Sequence, residues 1–253
     1  LDDLKNFRKM GSITPGHPEN HMTPGIDTTT GPLGQGIANA VGFAMAEMHM
    51  AAHFNKPGHE IVNHYTYAIC GDGCLMEGIS SEACSLAGHW GLSKLIVLYD
   101  NNGITIDGTT AVAFTENVHK RFEAQNWNVI EVNDGTDLDA IDNAIKAAKA
   151  QDQKPTLIMV KNHIGFGSPH MQDTSKVHGS PLGDEEIKLT KAAYGWPEDA
   201  KFFVPDRVDQ DRKARVAKHN DEYAAWCKAF EAYRAAYPEL ADEFERRQKG
   251  DLP

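Results

Sequence analysis

The sequence predicts an α/β fold in which a parallel β-sheet is covered by helices on both faces. Short apolar segments alternate with helical patterns between residues 65 and 160. Strands that are separated by helices pair in parallel through right-handed crossovers, which places helices against both faces of the sheet. Several of these segments end in Gly, Asp or Asn, and ligands bind beyond the carboxyl ends of such strands.

The elements follow from apolar spacing and from the residues that interrupt it. Four short apolar segments predict the strands: residues 65–70, 95–99, 128–132 and 156–160. Helical patterns precede the first strand and occupy the intervals between strands: residues 33–54, 76–90, 115–125 and 138–150. Residues 71–73, 100–106 and 161–168 follow three of the strands, and we expect these loops to converge in space.

Two regions differ in composition from this alternating part. Residues 11–32 are rich in Gly, Pro, His and Thr, which excludes a long helix or strand. An irregular stretch of this length in a compact domain is usually functional or disordered, and the Thr and His content with almost no Lys or Glu favours a functional role. Residues 206–249 are charged and carry Tyr223 and Trp226 in helical register, which predicts a surface helix that links this part of the chain to another.

Composition excludes several classes of function. The net charge is -11, and no cluster of Lys and Arg is present, so we expect no nucleic-acid partner. No apolar run approaches the roughly 20 residues that span a bilayer, and no signal peptide is evident, so we expect no membrane partner. The four cysteines form no CxxC pair and are interpreted as reduced thiols of a cytoplasmic protein.

One pair of motifs predicts a metal and diphosphate site. Gly71-Asp72-Gly73 follows one apolar strand, and Asn101-Asn102 follows the next strand after an interval of 27 residues. A carboxylate, a side-chain amide and a nearby carbonyl form a hard oxygen site for Mg²⁺ or Ca²⁺, with positions left for phosphate oxygens and water. Either motif alone would indicate only a turn, whereas the pair directly after two strands indicates a site.

This spacing is similar to the signature of thiamine diphosphate-dependent enzymes. Further stretches closely resemble transketolases: residues 14–19, 28–36, 71–78, 101–108, 164–168 and 178–183. The resemblance extends from Leu1 to about Pro205. It implies an incomplete diphosphate-binding domain at residues 1–205 and a helical linker at residues 206–253, leading to a pyrimidine-binding domain outside the sequence. Because the sequence begins with Leu1 and stops without a clear domain end, we expect a chain truncated at both ends.

The resemblance implies ligands for the metal and the cofactor diphosphate. Asp72, Asn102 and the carbonyl of Ile104 match the metal ligands, and the cofactor diphosphate would fill other positions. Asn102 also belongs to the implied cofactor contacts. Gly73 would donate its backbone amide to the diphosphate, and His178 would lie near the same group. The implied cofactors are therefore thiamine diphosphate and Mg²⁺ or Ca²⁺.

The resemblance also implies a surface for the organic part of the cofactor. Gly31 and Leu33 match the loop that touches the aminopyrimidine, with Leu33 and Ile106 wedged under the bent cofactor. From the residues alone, Leu33 and Ile106 would be ordinary core residues.

Catalytic and dimer-linking residues are implied as well. His17 and His178 match histidines that line the substrate channel and contact the reacting hydroxyls. Glu77 and Glu82 resemble an acidic pair that links two active sites across a dimer. From the residues alone, His17 would be an exposed turn residue, and Glu77 and Glu82 would be solvated surface charges.

The activity implied by the resemblance is reversible transfer of a two-carbon ketol unit from a ketose phosphate to an aldose phosphate. The implied partners are sugar phosphates, a second copy of the chain in a homodimer, and pyrimidine-binding and C-terminal domains outside the sequence. A related enzyme such as dihydroxyacetone synthase, phosphoketolase or 1-deoxyxylulose-5-phosphate synthase is an alternative. So is a non-catalytic fragment that only binds cofactor or dimerises.

Overall fold

The computed structural model describes residues 1–251, which divide into two compact units. The first unit comprises Leu1–Met45 and Tyr65–Lys201, and the second comprises Ala46–His64 and the chain from Phe202 onward. Residues 46–64 of the second unit lie within the domain that the sequence predicts for residues 1–205. The predicted division at residue 205, with a linker beyond it, stays a prediction.

Helices and strands alternate along the first unit as the pattern predicts. Over the described residues of both units, the helices are α1 (Asp2–Lys5), α2 (Gln35–Phe54), α3 (Asp72–Met76), α4 (Gly78–Trp90), α5 (Val118–Ala124), α6 (Leu138–Ala150), α7 (Asp184–Ala193), α8 (Asp206–Ala236) and α9 (Pro238–Gln248). The strands are β1 (Thr66–Gly71), β2 (Leu95–Asn101), β3 (Ile104–Thr105), β4 (Gly108–Thr109), β5 (Asn128–Val132) and β6 (Thr156–Lys161). No helix of the described residues is long and apolar enough to cross a membrane.

The main sheet confirms the predicted parallel architecture. Its strands lie in the order β1-β2-β6-β5, and each neighbouring pair is parallel. The short strands β3 and β4 form a separate antiparallel hairpin directly after β2. The register places Gly71 beside Asp100 and Asn101 beside Lys161, so the loops after β1, β2 and β6 leave the sheet at the same edge.

Helices cover both faces of this sheet, as the sequence predicts. On one face, Val97 and Tyr99 pack in a buried cluster with residues of α2, α4 and α5. On the other face, Ile96 and Ile158 pack with Ala144 and other residues of α6. Successive residues of a strand point to opposite faces, and burial of each large apolar side chain contributes about 1.5–3 kcal/mol. Burial on both faces therefore explains why the central strands are almost continuously apolar.

The second unit is built on an aromatic cluster. Phe54 at the end of α2 packs in a buried cluster with Phe230 and Tyr233 of α8 and Phe244 of α9. The predicted helical segment 206–249 is divided in two, because α9 begins at Pro238. Proline lacks a backbone N–H and disfavours helical geometry in the residue before it, so α8 ends there.

Candidate functional site

A cavity of about 600 Å³ lies where the loops after β1, β2 and β6 meet. These loops contribute Asp72, Asn102 and Ile164 to its lining, which confirms the predicted convergence. The predicted helix of residues 76–90 is α4, which begins at Gly78, and the structure adds the short helix α3, which begins at Asp72 and was not predicted. Gly71 is extended at the N-cap, so the Gly-Asp-Gly motif is a strand-to-helix junction and not a free turn.

Asp72 is a buried carboxylate with two donors. Its side chain is almost inaccessible, with 3% exposure. The Tyr99 hydroxyl donates to Oδ1, and the backbone N–H of Gly103 donates to Oδ2 over 3.1 Å. Burial raises the pKa of the Asp72 carboxyl above its ordinary value, and the two hydrogen bonds oppose that rise. Burial and the adjacent Asp72 also raise the pKa of the Tyr99 phenol.

Asp100 lies beside this carboxylate at the end of β2. Its Oδ2 accepts a hydrogen bond from Asn102 Nδ2 over 3.2 Å, whereas its buried Oδ1 has no hydrogen-bond partner within residues 1–251. The Asp100 charge adds to the rise in the pKa of Asp72. A buried acceptor without a partner is costly unless a ligand or water satisfies it. This corner of the cavity therefore favours a cation.

Asn102 and Ile104 line the same cavity as Asp72. The Ile104 N–H donates to Asn102 Oδ1 over 2.9 Å, while the Asn102 NH₂ faces Asp100. Within the described residues, no group of three or more His, Cys, Asp and Glu could hold a metal by itself. A site that combines one carboxylate with an amide oxygen, a carbonyl and phosphate oxygens is of the kind Mg²⁺ occupies. The residues present fit such an ion.

Apolar side chains line another part of the same cavity. Leu33 is 53% exposed and Ile106 is 69% exposed, so neither is the ordinary core residue that composition alone suggests. The Leu33 side chain lies against Gly73, because a Cβ on Gly73 would lie 3.3 Å from Leu33 Cδ1. Exposed apolar side chains in a concave site are typical of a surface that contacts an apolar part of a ligand.

The two predicted histidines lie in different surroundings. His178 is exposed and lines the cavity together with Val177 and Gly179. His17 is exposed and lies outside that lining, but it contacts the segment that leads to Leu33. A Cβ on Gly31 would lie only 2.4 Å from His17 Nδ1. The structure therefore brings the 14–19 and 28–36 segments together.

Only one of the two predicted glutamates lines the cavity. Glu77 lies at the junction of α3 and α4 and lines the cavity. Glu82 is exposed on α4 and is absent from the cavity lining. Near it on the same helix, Ile79 and Leu86 are 47% and 39% exposed.

Sequence reasoning missed Tyr99 and Asp100. Both belong to β2, and the apolar residues at the start of this strand indicate a core strand and not a site. Their position directly before Asn101-Asn102 was the available signal, because the last residues of a parallel strand reach the ligand edge of the sheet.

Comparison with known proteins gives a consistent result. The family model described as "Transketolase, thiamine diphosphate binding domain" matches residues 1–253. The chain is 58% identical to "Transketolase 2" of Aliivibrio fischeri and 56% identical to "Transketolase-1, chloroplastic" of Arabidopsis thaliana. Both matches cover the whole chain but only 38% and 34% of those proteins, so the chain spans little more than a third of the curated relatives it matches.

Solved structures agree with these matches. Transketolase from Leishmania mexicana superposes with a TM-score of 0.97 at 51% identity, over the whole chain and 38% of that protein. A Pichia stipitis transketolase in complex with sedoheptulose 7-phosphate superposes with a TM-score of 0.97 at 49% identity, over the whole chain and 37% of that protein.

Proposed function

This chain belongs to the transketolase family through its thiamine diphosphate-binding domain, and we propose that it supplies the metal- and diphosphate-binding half of a transketolase active site. One observation carries the proposal. The buried carboxylate of Asp72, the amide of Asn102 and the apolar side chains of Leu33 and Ile106 line one cavity. Such a cavity suits a ligand with a charged end and an apolar body.

The charged end of the cavity would hold Mg²⁺ or Ca²⁺. Asp72, Asn102 and the Ile104 carbonyl would be the protein ligands, and the diphosphate of thiamine diphosphate would complete the coordination. Gly73 has no side chain to keep the diphosphate from its backbone N–H, which would donate to a phosphate oxygen. Asp100 accepts from the Asn102 NH₂ and so turns the amide oxygen away from itself.

The apolar surface would support the organic part of the cofactor. Leu33 and Ile106 would pack against its rings, and Gly31 would let the preceding loop approach closely. When bound, thiamine diphosphate supplies the carbon nucleophile and the electron sink for two-carbon transfer. The contribution of the chain is to bind it, orient it and keep water away from the reacting centre.

The histidines would act on the sugar. His178 lines the cavity and would lie near both the diphosphate and the substrate hydroxyls. His17 would contact the substrate from the segment beside Gly31. An imidazole ring can both accept and donate a proton, so either ring could take a proton from the sugar and return it during transfer. The substrates would be a ketose phosphate and an aldose phosphate, as in the pentose phosphate pathway of the cytoplasm.

A second copy of the chain is the proposed partner at α4. Ile79, Leu86 and Trp90 leave apolar surface exposed on this helix, and Glu82 lies among them. Burial of such a stripe in a homodimer would place Glu82 near its counterpart and, through Glu77, near the cavity. Domains outside this chain would complete the site, because the relatives are far longer than the matched region.

Calorimetry with thiamine diphosphate and Mg²⁺ tests the metal assignment in the full-length protein. We expect Asp72→Ala to abolish metal-dependent binding, because Asp72 is the only carboxylate among the three proposed protein ligands. Asp107→Ala is the matched control, since Asp107 lines the same cavity but is exposed. Unchanged affinity of Asp72→Ala in the presence of Mg²⁺ would contradict the assignment.

A chimaera tests the activity itself. This chain would replace the matching stretch of the Aliivibrio fischeri protein, and ketol transfer would be measured with xylulose 5-phosphate as donor. Ribose 5-phosphate is the expected acceptor, whereas preference for formaldehyde would indicate dihydroxyacetone synthase. A folded chimaera that binds cofactor without transfer would indicate a non-catalytic binding role for this chain.

A further inference from the structure

The segment from Ser168 to Glu186 forms a loop whose two ends meet. These residues are 18 positions apart in sequence, yet the Ser168 hydroxyl donates a hydrogen bond to Glu186 Oε1. Between them lies His178, which lines the cavity together with its neighbours Val177 and Gly179. Glu186 itself is absent from the cavity lining.

Glu186 holds the neck of this loop through three contacts. Besides the Ser168 hydroxyl, the backbone N–H of His170 donates to Oε1 over 2.9 Å, and His170 Nδ1 lies 2.9 Å from Oε2. Glu186 is 7% exposed and Ser168 is 2% exposed. Ser168 Oγ also accepts from the backbone N–H of Met171 over 3.2 Å, which fixes the first turn of the loop.

The charge of Glu186 is stabilised at neutral pH. The Ser168 hydroxyl and the two His170 contacts lower the pKa of the Glu186 carboxyl from 4.5 to about 2. Since the folded pKa is below the ordinary value, this stabilisation is fully present above pH 4.5 and is lost as the pH falls toward 2. Hydrogen bonds to an ionised carboxylate are stronger than hydrogen bonds between neutral groups, so the charged Glu186 side chain holds the two ends of the loop together firmly.

The loop is also packed against its own entrance. Val177 lies against Gly165, where a Cβ would lie 3.1 Å from Val177 Cγ2. The Asp173 N–H donates to the Ile164 carbonyl over 3.0 Å. Ile164 and Val177, which take part in these two contacts, line the cavity, as His178 does.

We propose that Glu186 is a positioning residue, which closes the loop from Ser168 to Glu186 and so holds His178 at the cavity before any ligand binds. The proposal rests on the role proposed above for His178. A loop that is already ordered in the free protein does not have to be ordered by the ligand. If the loop is open in some of the molecules, the apparent affinity falls in proportion to the fraction in which it is closed.

Limited trypsin digestion of the full-length protein measures loop opening directly. Lys176 is the single Lys or Arg between Ser168 and Glu186, so cleavage after it reports this loop alone. We expect Glu186→Gln to accelerate this cleavage about tenfold and Glu186→Ala to accelerate it further, since loss of one charge-assisted bond corresponds to about a tenfold change in the opening equilibrium. Glu185→Ala is the control, because Glu185 is the exposed neighbour on the same helix.

Binding in the same variants tests the coupling to His178. We expect Glu186→Gln to weaken thiamine diphosphate binding and to raise KM for the sugar phosphate more than it lowers kcat, with only a small loss of Tm. Wild-type cleavage rates in both Glu186 variants would overturn the proposal. So would faster cleavage with unaltered binding and KM. If the wild-type protein binds no thiamine diphosphate, the proposed function fails, while cleavage after Lys176 still decides whether Glu186 closes the loop.

Discussion

Replacement of Gly31 by alanine should displace His17 without unfolding the protein. A Cβ at this position would lie 2.4 Å from His17 Nδ1 and 2.5 Å from Cγ, far inside van der Waals contact. The backbone φ of +132° is also one that side-chain-bearing residues rarely adopt. The His17 ring is exposed and can rotate, so we expect the ring to move rather than the loop to unfold.

Gly25→Ala separates the two effects of this substitution. Gly25 has a positive φ of +83°, and a Cβ there would meet nothing within 4 Å. Both variants should therefore incur backbone strain of about 1–3 kcal/mol. Each kcal/mol should lower the Tm by about 2–4 °C in a protein unit of this size. Only Gly31→Ala should also move His17, and a misplacement of about 1 Å can cost on the order of 10²-fold in rate.

The assay is kcat/KM for ketol transfer in the full-length protein, with Tm measured beside it. We expect similar losses of Tm in the two variants and a much larger loss of kcat/KM in Gly31→Ala. In a His17→Ala background, Gly31→Ala should cost only the strain, so the two substitutions should be strongly non-additive. Equal kcat/KM for Gly31→Ala and Gly25→Ala would refute the reasoning, because the clash with His17 would then have no functional effect.

Two further predictions concern single hydrogen bonds. Asp100→Asn should weaken Mg²⁺ binding in calorimetry by about tenfold, because an amide at position 100 no longer dictates which side of the Asn102 amide faces the metal; equal losses in Asp107→Asn would contradict this. The pKa of His119 should lie above 6.5 by NMR titration, since Glu131 accepts from its ring. This pair then stabilises the fold below pH 6.5 and less as the pH rises through the folded pKa, and Glu131→Gln should return the pKa toward 6.5. An unshifted pKa in the wild-type protein would show that the pair does not form.

The sheet could be predicted because the spacing of apolar residues within each segment specifies whether that segment forms a strand or a helix. The predicted strand of residues 95–99 extends in the structure to Asn101, and the predicted helix of residues 138–150 has the same bounds in the structure. That helix carries its own start signal, since Asp137 caps it by accepting from the Ala140 N–H. Burial on both faces of the sheet made the strands apolar, and this pattern is visible in sequence.

What could not be predicted depends on contacts between distant residues. The hydrogen bond from Tyr99 to Asp72 joins residues 27 apart, and no spacing rule selects it. Glu186 is one of three successive acidic residues at the start of α7, and only the fold shows that it is the buried one. The helix start at Asp72 was missed for another reason, since glycine on both sides of it indicates a turn when tertiary packing is ignored.

The cavity departs from ordinary folding in two opposite ways at once. Leu33 and Ile106 expose apolar surface, whereas Asp72 is buried and Asp100 holds a buried oxygen without a partner in the described residues. Each departure costs free energy in the unliganded chain, and neither helps the other, because apolar groups do not compensate a buried charge. A single ligand that carries a metal-bound diphosphate and an apolar ring system would relieve both. The site is therefore best explained as one whose cost in the free protein is recovered on cofactor binding.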